Sequence, residues 1–240
     1  MSNQHKTRVL FVGNSQSTSA GLNDQSRWAN YPSLVQTHFT QLECHYWLMS
    51  SLSVATIDNQ FDEIITQHQP DIVILHPGII EGSLRILPTK LKDLLRVLPG
   101  GRFITGTLHK RRRGWYIFLS KLNIQFFEVN INDYQKHLRN IADRCGHLNY
   151  KLIFMTVAPL SESHERRFVP GNNEILVKYN LVLSAVARDY NVPIINTFAN
   201  NLDPTNRSLY LEEGGVHFSV AGHKLIAKNI INFMDQHIRI

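Results

Sequence analysis

A chain of 240 residues with 43% hydrophobic and 18% charged side chains has the balance of a globular protein, and wholesale disorder is excluded. A formal charge of +6 favours acidic company, whether nucleic acid, anionic lipid or an acidic glycan, without choosing among them. The 2 cysteines, Cys44 and Cys145, allow one bridge at most and exclude a disulfide framework, which fits a reducing compartment.

The opening MSNQHKTRV has no long apolar core and no small-residue cleavage site, so neither a signal peptide nor a membrane anchor is expected, and the default location is the cytoplasm. A first strand is expected over Thr7 to Val12, stopping at Gly13, Asn14 and Ser15. YPSLVQTHFTQL then carries Leu34, Val35, Phe39 and Leu42 at helical spacing. ECHYWLM reads as a second strand, and DNQFDEIITQHQP as a helix ended by Pro70. DIVILHPG is a third strand, short and nearly all apolar, as strands covered on both faces tend to be. INDYQKHLRNIADRCG reads as a helix, YKLIFMTVAP as a fourth strand and NEILVKYNLVLSAVARDY as a helix with Ile175, Leu176, Tyr179, Leu183, Val186 and Ala187 on one face. VPIINTF supplies a short fifth strand, and SVAGHKLIAKNIINFMDQH closes the chain as a helix with Ser219 as its N-cap.

This alternation predicts an α/β fold, a single domain over residues 1–240, with a parallel sheet between helices and right-handed crossovers. Ligands of such sheets bind beyond the carboxyl ends of the strands. Ser15, the Ser51–Ser53 segment, the His76–Glu81 segment and the Val157–Ser161 segment therefore share one rim, and the loop carrying His217 is placed to reach it.

VGNSQS near the start, HPGIIEG in the middle and EEGGVHFSVAGH near the end together resemble the SGNH (GDSL-type) hydrolase superfamily, including a helix with Tyr179 and Asn180 before the last strand. GIIEGSLRILP, the basic run and LSESHERRF are most similar to a bacterial branch associated with surface polysaccharides. The resemblance implies a three-layer α/β/α sandwich around a five-stranded parallel sheet, flavodoxin-like in order, and hydrolysis or transfer of acyl esters through a serine, without metal or cofactor. It implies Ser15 as nucleophile and His217 as base, because a hydroxyl attacks only when an imidazole takes its proton and an acceptor steadies that imidazole. The implied acyl substrate is a carbohydrate ester, and no nucleic-acid partner is expected. The alternative is a catalytically weakened member acting as a glycan-binding or scaffolding component.

Several motif positions depart from the family. Asn14 replaces the usual aspartate before the serine, Ser53 stands nearest the second motif's glycine, and Ile80 stands where the family has an oxyanion asparagine. The oxyanion is then expected to rest on backbone N–H groups of Ser15, Ser53 and Gly78. Gly214 stands where the family aspartate precedes histidine, so Glu213 is the expected carboxylate, with Gly214 and Gly215 absorbing the extra residue.

The stretch around residues 102–130 is the least family-like. Lys110, Arg111, Arg112 and Arg113 run into Trp115, Tyr116, Ile117, Phe118 and Leu119, which reads either as a solvated charge run before a core element or as a flap meeting anionic lipid or a phosphorylated glycan carrier, peripheral to a membrane. Arg166 and Arg167 are the expected contacts for an acidic substrate group. Cys145 beside His147 and a phosphate loop at GNSQSTSAG are weaker readings, since the first pair lies at a helix end and the second lacks the lysine and glycine pattern.

Overall fold

In a computed structural model of the chain, the structure describes residues 6–197 and 210–238. Five strands form one parallel sheet in the order β2-β1-β3-β4-β5: β1 Arg8–Gly13, β2 Glu43–Leu48, β3 Ile72–His76, β4 Lys151–Met155 and β5 Ile194–Ile195. Register is fixed by pairs such as Val9 with Cys44 and with Ile72, Ile72 with Lys151, and Phe154 with Ile194. The expected end of the fifth strand at Phe198 lies outside the described residues.

Strand alternation sorts the core into two layers. Leu10, Val12, Val73, Leu75, Leu152 and Phe154 point to one side, where α2 (Val54–His68), α6 (Ile131–His147) and α8 (Asn172–Asp189) cover them. Val9, Phe11, Ile72, Ile74, Ile153 and Met155 point to the other, under α1 (Tyr31–His38) and the last helix, α9 (Val220–His237). The expected alternation thus appears as the observed sandwich, with Ser219 capping α9 by accepting the Gly222 N–H. Cys145 lies in the first layer, and burial pushes its thiol up to about 12, which leaves it unreactive.

Between β3 and α6 the chain forms three short helices, α3 (Thr89–Val97), α4 (Gly101–Lys110) and α5 (Arg112–Lys121). The basic run thus straddles a helix junction at Arg111. Tyr116 and Leu119 turn inward, and the Trp115 indole N–H and Tyr116 hydroxyl donate to Ile86 O and Leu84 O, both at 2.8 Å. Phe103, Ile117 and Phe118 remain exposed. Among the described residues no helix is long and apolar enough to cross a membrane. The remaining helix, α7 (Glu162–Phe168), follows β4.

A buried polar knot sits beneath the carboxyl edge of the sheet. The Tyr31 hydroxyl donates to Ser17 Oγ at 2.7 Å, and both lie 3.1 Å from His76 Nδ1. His223 Nδ1 accepts the Tyr31 backbone N–H at 3.2 Å. Burial holds His76 neutral, down to about 4, and His223 down to about 3. In the unfolded chain both titrate near the ordinary histidine value, so between that value and the folded one the unfolded state binds more protons. Their contribution to stability is therefore present at neutral pH and lost as pH falls from roughly 6.5 toward 4. The urea midpoint is expected to drop across that window, and His223→Asn, which keeps an acceptor without a titrating ring, is expected to flatten the drop. An unchanged slope in the variant would remove His223 from this account.

Candidate active site

The sheet order reverses between β1 and β3, and the crevice beyond their carboxyl ends is where ligands of such sheets bind. Ser15 lies two residues past the end of β1. A Cβ at Gly13 would sit 2.2 Å from Ser17 Oγ, so only glycine lets the chain fold back at that point. Asn14 then builds the turn: its Oδ1 accepts the Gln16 N–H at 3.0 Å, and its carbonyl accepts the Ser17 N–H at 2.9 Å. Its Nδ2 donates to His76 O at 3.1 Å, a cross-strand bond that the family's aspartate could not donate. The Thr18 hydroxyl holds the Ser15 carbonyl at 2.9 Å.

His217 comes from a tight loop before α9. Leu211 pairs with Phe218 in an isolated antiparallel bridge, and the Glu212 N–H donates to His217 O at 2.9 Å. That pairing sets the carboxylate opposite the histidine, and it is Glu212 rather than the expected Glu213. Glu212 Oε1 lies 3.7 Å from His217 Nδ1, beyond a formed hydrogen bond and within a small side-chain adjustment of one. Glu213, the next residue along, is exposed. Only Gly215 of the glycine pair takes a positive φ, 74°, and a Cβ there would meet Ser161 Oγ at 1.9 Å.

Burial works to raise the Glu212 carboxyl, but the N–H groups of Gly214, Val216 and His217 outweigh it and hold the group below its usual range. His217 is lowered, chiefly by burial, with Glu212 pulling the other way. The imidazole is therefore neutral at pH 7, the form that accepts a proton.

Contacts from the two ends of the chain join these loops. Gln16 Nε2 donates to Val216 O at 3.0 Å, so the residue after Ser15 is bonded to the residue before His217. A Cβ at Gly21, where φ is 85°, would lie 2.9 Å from the His217 Cβ and 2.8 Å from Glu212 Cγ, so the serine loop runs directly against both side chains. Below them Phe218 is buried and stacks on His76, with ring centres 6.4 Å apart.

The expected oxyanion donors fare differently. Gly78, at φ 110°, gives its N–H to the buried Glu81 Oε2 at 2.8 Å, so this amide is already engaged and is not a free oxyanion donor. Glu81 Oε1 accepts the Val54 N–H, so one carboxylate bridges the loops that follow β2 and β3. Ser53 caps α2 through its side chain, and among the described residues neither the Ser53 nor the Ser15 backbone N–H has a hydrogen-bond partner. Ile80, in the asparagine's position, brings no polar side-chain atom. Burial raises the Glu81 pKa, against the backbone N–H groups of Val54, Glu81 itself and Gly78 and the charge of Arg85. Glu81→Ala is expected to leave two buried N–H groups unpaired and cost about 1–3 kcal/mol for each, with Glu81→Gln intermediate because its amide oxygen still accepts. Urea unfolding checks this, and an alanine variant within roughly 0.5 kcal/mol of the parent would dismiss the bridge.

Asn180, which the resemblance included, and His164, which the sequence did not single out, also position the rim. Asn180 clasps Val157 through both backbone groups, at 2.9 and 3.0 Å, and His164 Nδ1 lies 2.5 Å from Gly214 O. The two arginines expected to bind substrate do not line the neighbouring cavity: they belong to α7, where Arg166 pairs with Glu162 and Arg167 lies 5.0 Å over the Phe168 ring.

A parallel sheet of order 2-1-3-4-5, with a serine turn after its first strand and a histidine loop before its last helix, defines a hydrolase of the SGNH serine type. The model of the GDSL-like lipase/acylhydrolase family matches residues 11–225, and the chain belongs to that family. Among solved structures it is similar to a GDSL-like lipase from Bacteroides thetaiotaomicron, with TM-score 0.63 and 14% identity, covering 97% of this chain and 90% of that one. It is also similar to a mutant of Axe2, an acetyl-xylooligosaccharide esterase from Geobacillus, with TM-score 0.62, 18% identity and coverage of 97% and 95%. A third likeness is the psychrotrophic esterase EstA from Pseudoalteromonas, with TM-score 0.60, 13% identity and coverage of 96% and 97%. No curated protein matches the chain in sequence.

Proposed function

We propose that the protein removes or transfers a short acyl group on a carbohydrate hydroxyl, with Ser15 as nucleophile, His217 as base and Glu212 orienting the imidazole. The bond from Gln16 to Val216 carries this reading, because it ties the serine turn to the histidine loop at 3.0 Å. Ser15 attacks the acyl carbonyl as His217 takes its proton. The imidazolium then returns that proton to the departing sugar oxygen, and water or a second hydroxyl resolves the acyl-enzyme by the reverse path. Glu212 steadies the positive ring in between.

The N–H groups of Ser15 and Ser53 are the donors left for the oxyanion. With Gly78 engaged by Glu81 and no amide side chain at position 80, fewer donors face the developing charge, so turnover of generic esters is slow. The carbohydrate reading draws support from the acetyl-xylooligosaccharide esterase and from an acetyl xylan esterase of the same fold, TM-score 0.60 at 14% identity.

A fluorophosphonate probe tests the mechanism: labelling that requires both Ser15 and His217 is the expected result, and persistent failure to label would leave a binding or scaffolding role instead. Incubation with acetylated xylo-oligosaccharides, with and without a sugar acceptor, then separates hydrolysis from transfer by product.

A further inference from the structure

Beside the His217 loop lies a cavity of about 690 Å³, walled by the segment after β3, by α3 to α5 and by residues following β4, and reaching Val216. Its size is that of a site for one small molecule. Six cationic side chains line it, Arg85, Lys92, Arg96, Arg102, Lys110 and Arg112, against one carboxylate, Glu128. Little of that charge is matched. Glu128 lies 3.5 Å from Arg85, and Arg96 has an exposed partner in Asp93 at 3.7 Å. Among the described residues the side chains of Lys92, Arg102 and Lys110 make no hydrogen bond or ion pair.

Arg85 is the fixed member of the set. Its backbone N–H donates to Phe126 O at 2.8 Å, and its Nη2 reaches Ile80 O at 3.4 Å. Its Nε is buried without a partner, so a donor is left inside this wall. Arg112 lines the cavity from α5, its guanidinium 3.8 Å over the Phe168 ring.

We infer that this cavity binds a phosphate or diphosphate group carried by the substrate. The inference rests on the esterase reading for its purpose, since it names the acidic part of the molecule whose acyl ester reaches the Ser15 turn. A single carboxylate satisfies one arginine. Cations converging from separate elements on one recess match a compact group with several negative oxygens, and the planar forks of Arg85 and Arg112 suit phosphate oxygens in pairs. Arg85, Lys92 and Arg112 are half-buried in the wall and Arg96, Arg102 and Lys110 are exposed around it, so the charges surround a recess rather than form the flat face that a lipid surface engages.

The test uses the full chain carrying Ser15→Ala, titrated calorimetrically with inorganic pyrophosphate at physiological salt. One saturable site per chain is expected. Arg85→Gln is expected to weaken it about tenfold or more, and a combined Lys92→Gln and Arg102→Gln change does the same without touching a buried group. Arg111→Gln, an exposed charge of the same basic run outside the cavity, leaves affinity unchanged. Absence of saturable binding, or an equal loss in Arg111→Gln, would overturn the inference. Because no turnover is involved, that failure is distinct from a failure of Ser15 as nucleophile, which fluorophosphonate labelling reads separately. Tighter binding of a sugar 1-phosphate than of phosphate, or of a nucleoside diphosphate than of pyrophosphate, upholds the site and identifies which kind of molecule bears the group.

Discussion

Hydrolysis of a small aryl acetate is expected to fall by about 10³-fold or more when Ser15 becomes alanine. His217→Ala is expected to fall almost as far, and the double variant no further than the worse single one. Non-additivity is the sharper part of this expectation. A serine and a histidine acting as one proton-transferring unit lose their joint effect when either is removed, whereas two independent contributors multiply their losses. The Gln16 to Val216 bond and the packing of Gly21 against His217 are the structural grounds for treating the pair as one unit. Steady-state kinetics of the four proteins decide it, and parent-like rates in the serine variant would end the mechanism.

The second large effect separates two neighbouring glutamates. Glu212→Ala is expected to lower kcat/KM by about 10²-fold, because the His217 cation loses its carboxylate and the loop loses its acceptor for three backbone N–H groups. Glu213→Ala is expected to stay within roughly twofold of the parent, as a substitution at an exposed site does. The pH profile adds a sign. Activity requires neutral His217 and falls in acid as the ring protonates, below the ordinary histidine range because burial lowers it. Glu212 works to raise that value, so Glu212→Gln is expected to move the acid limb to still lower pH. A limb that stays in place, or an equal loss in Glu213→Ala, would return the role to another group.

Much of this architecture was legible in the residues. The apolar runs at β1, β3 and β4 and the amphipathic faces of α6 and α8 announced a sheet between helices, because burial on one face imposes a period of two on strands and 3.6 on helices. Gly13, Asn14 and Ser15 marked the strand exit, and Ser219 marked the start of the last helix. The short helices α3 to α5 were not legible as such. Their basic and apolar residues mix along one run, and α5 is anchored by bonds from Trp115 and Tyr116 to Ile86 O and Leu84 O, some thirty residues earlier in the chain.

By itself, then, the sequence determined the layered fold and the rim on which the chemistry-bearing loops lie. Tertiary structure alone decided which of two adjacent glutamates faces the imidazole, since the bridge between Leu211 and Phe218 puts Glu212 inward and its neighbour in solvent. It alone placed Glu81 on the Gly78 amide and gathered distant cations around one recess. Local patterns record which side chains avoid water, but the register between segments far apart in the chain is set only when their backbones pair.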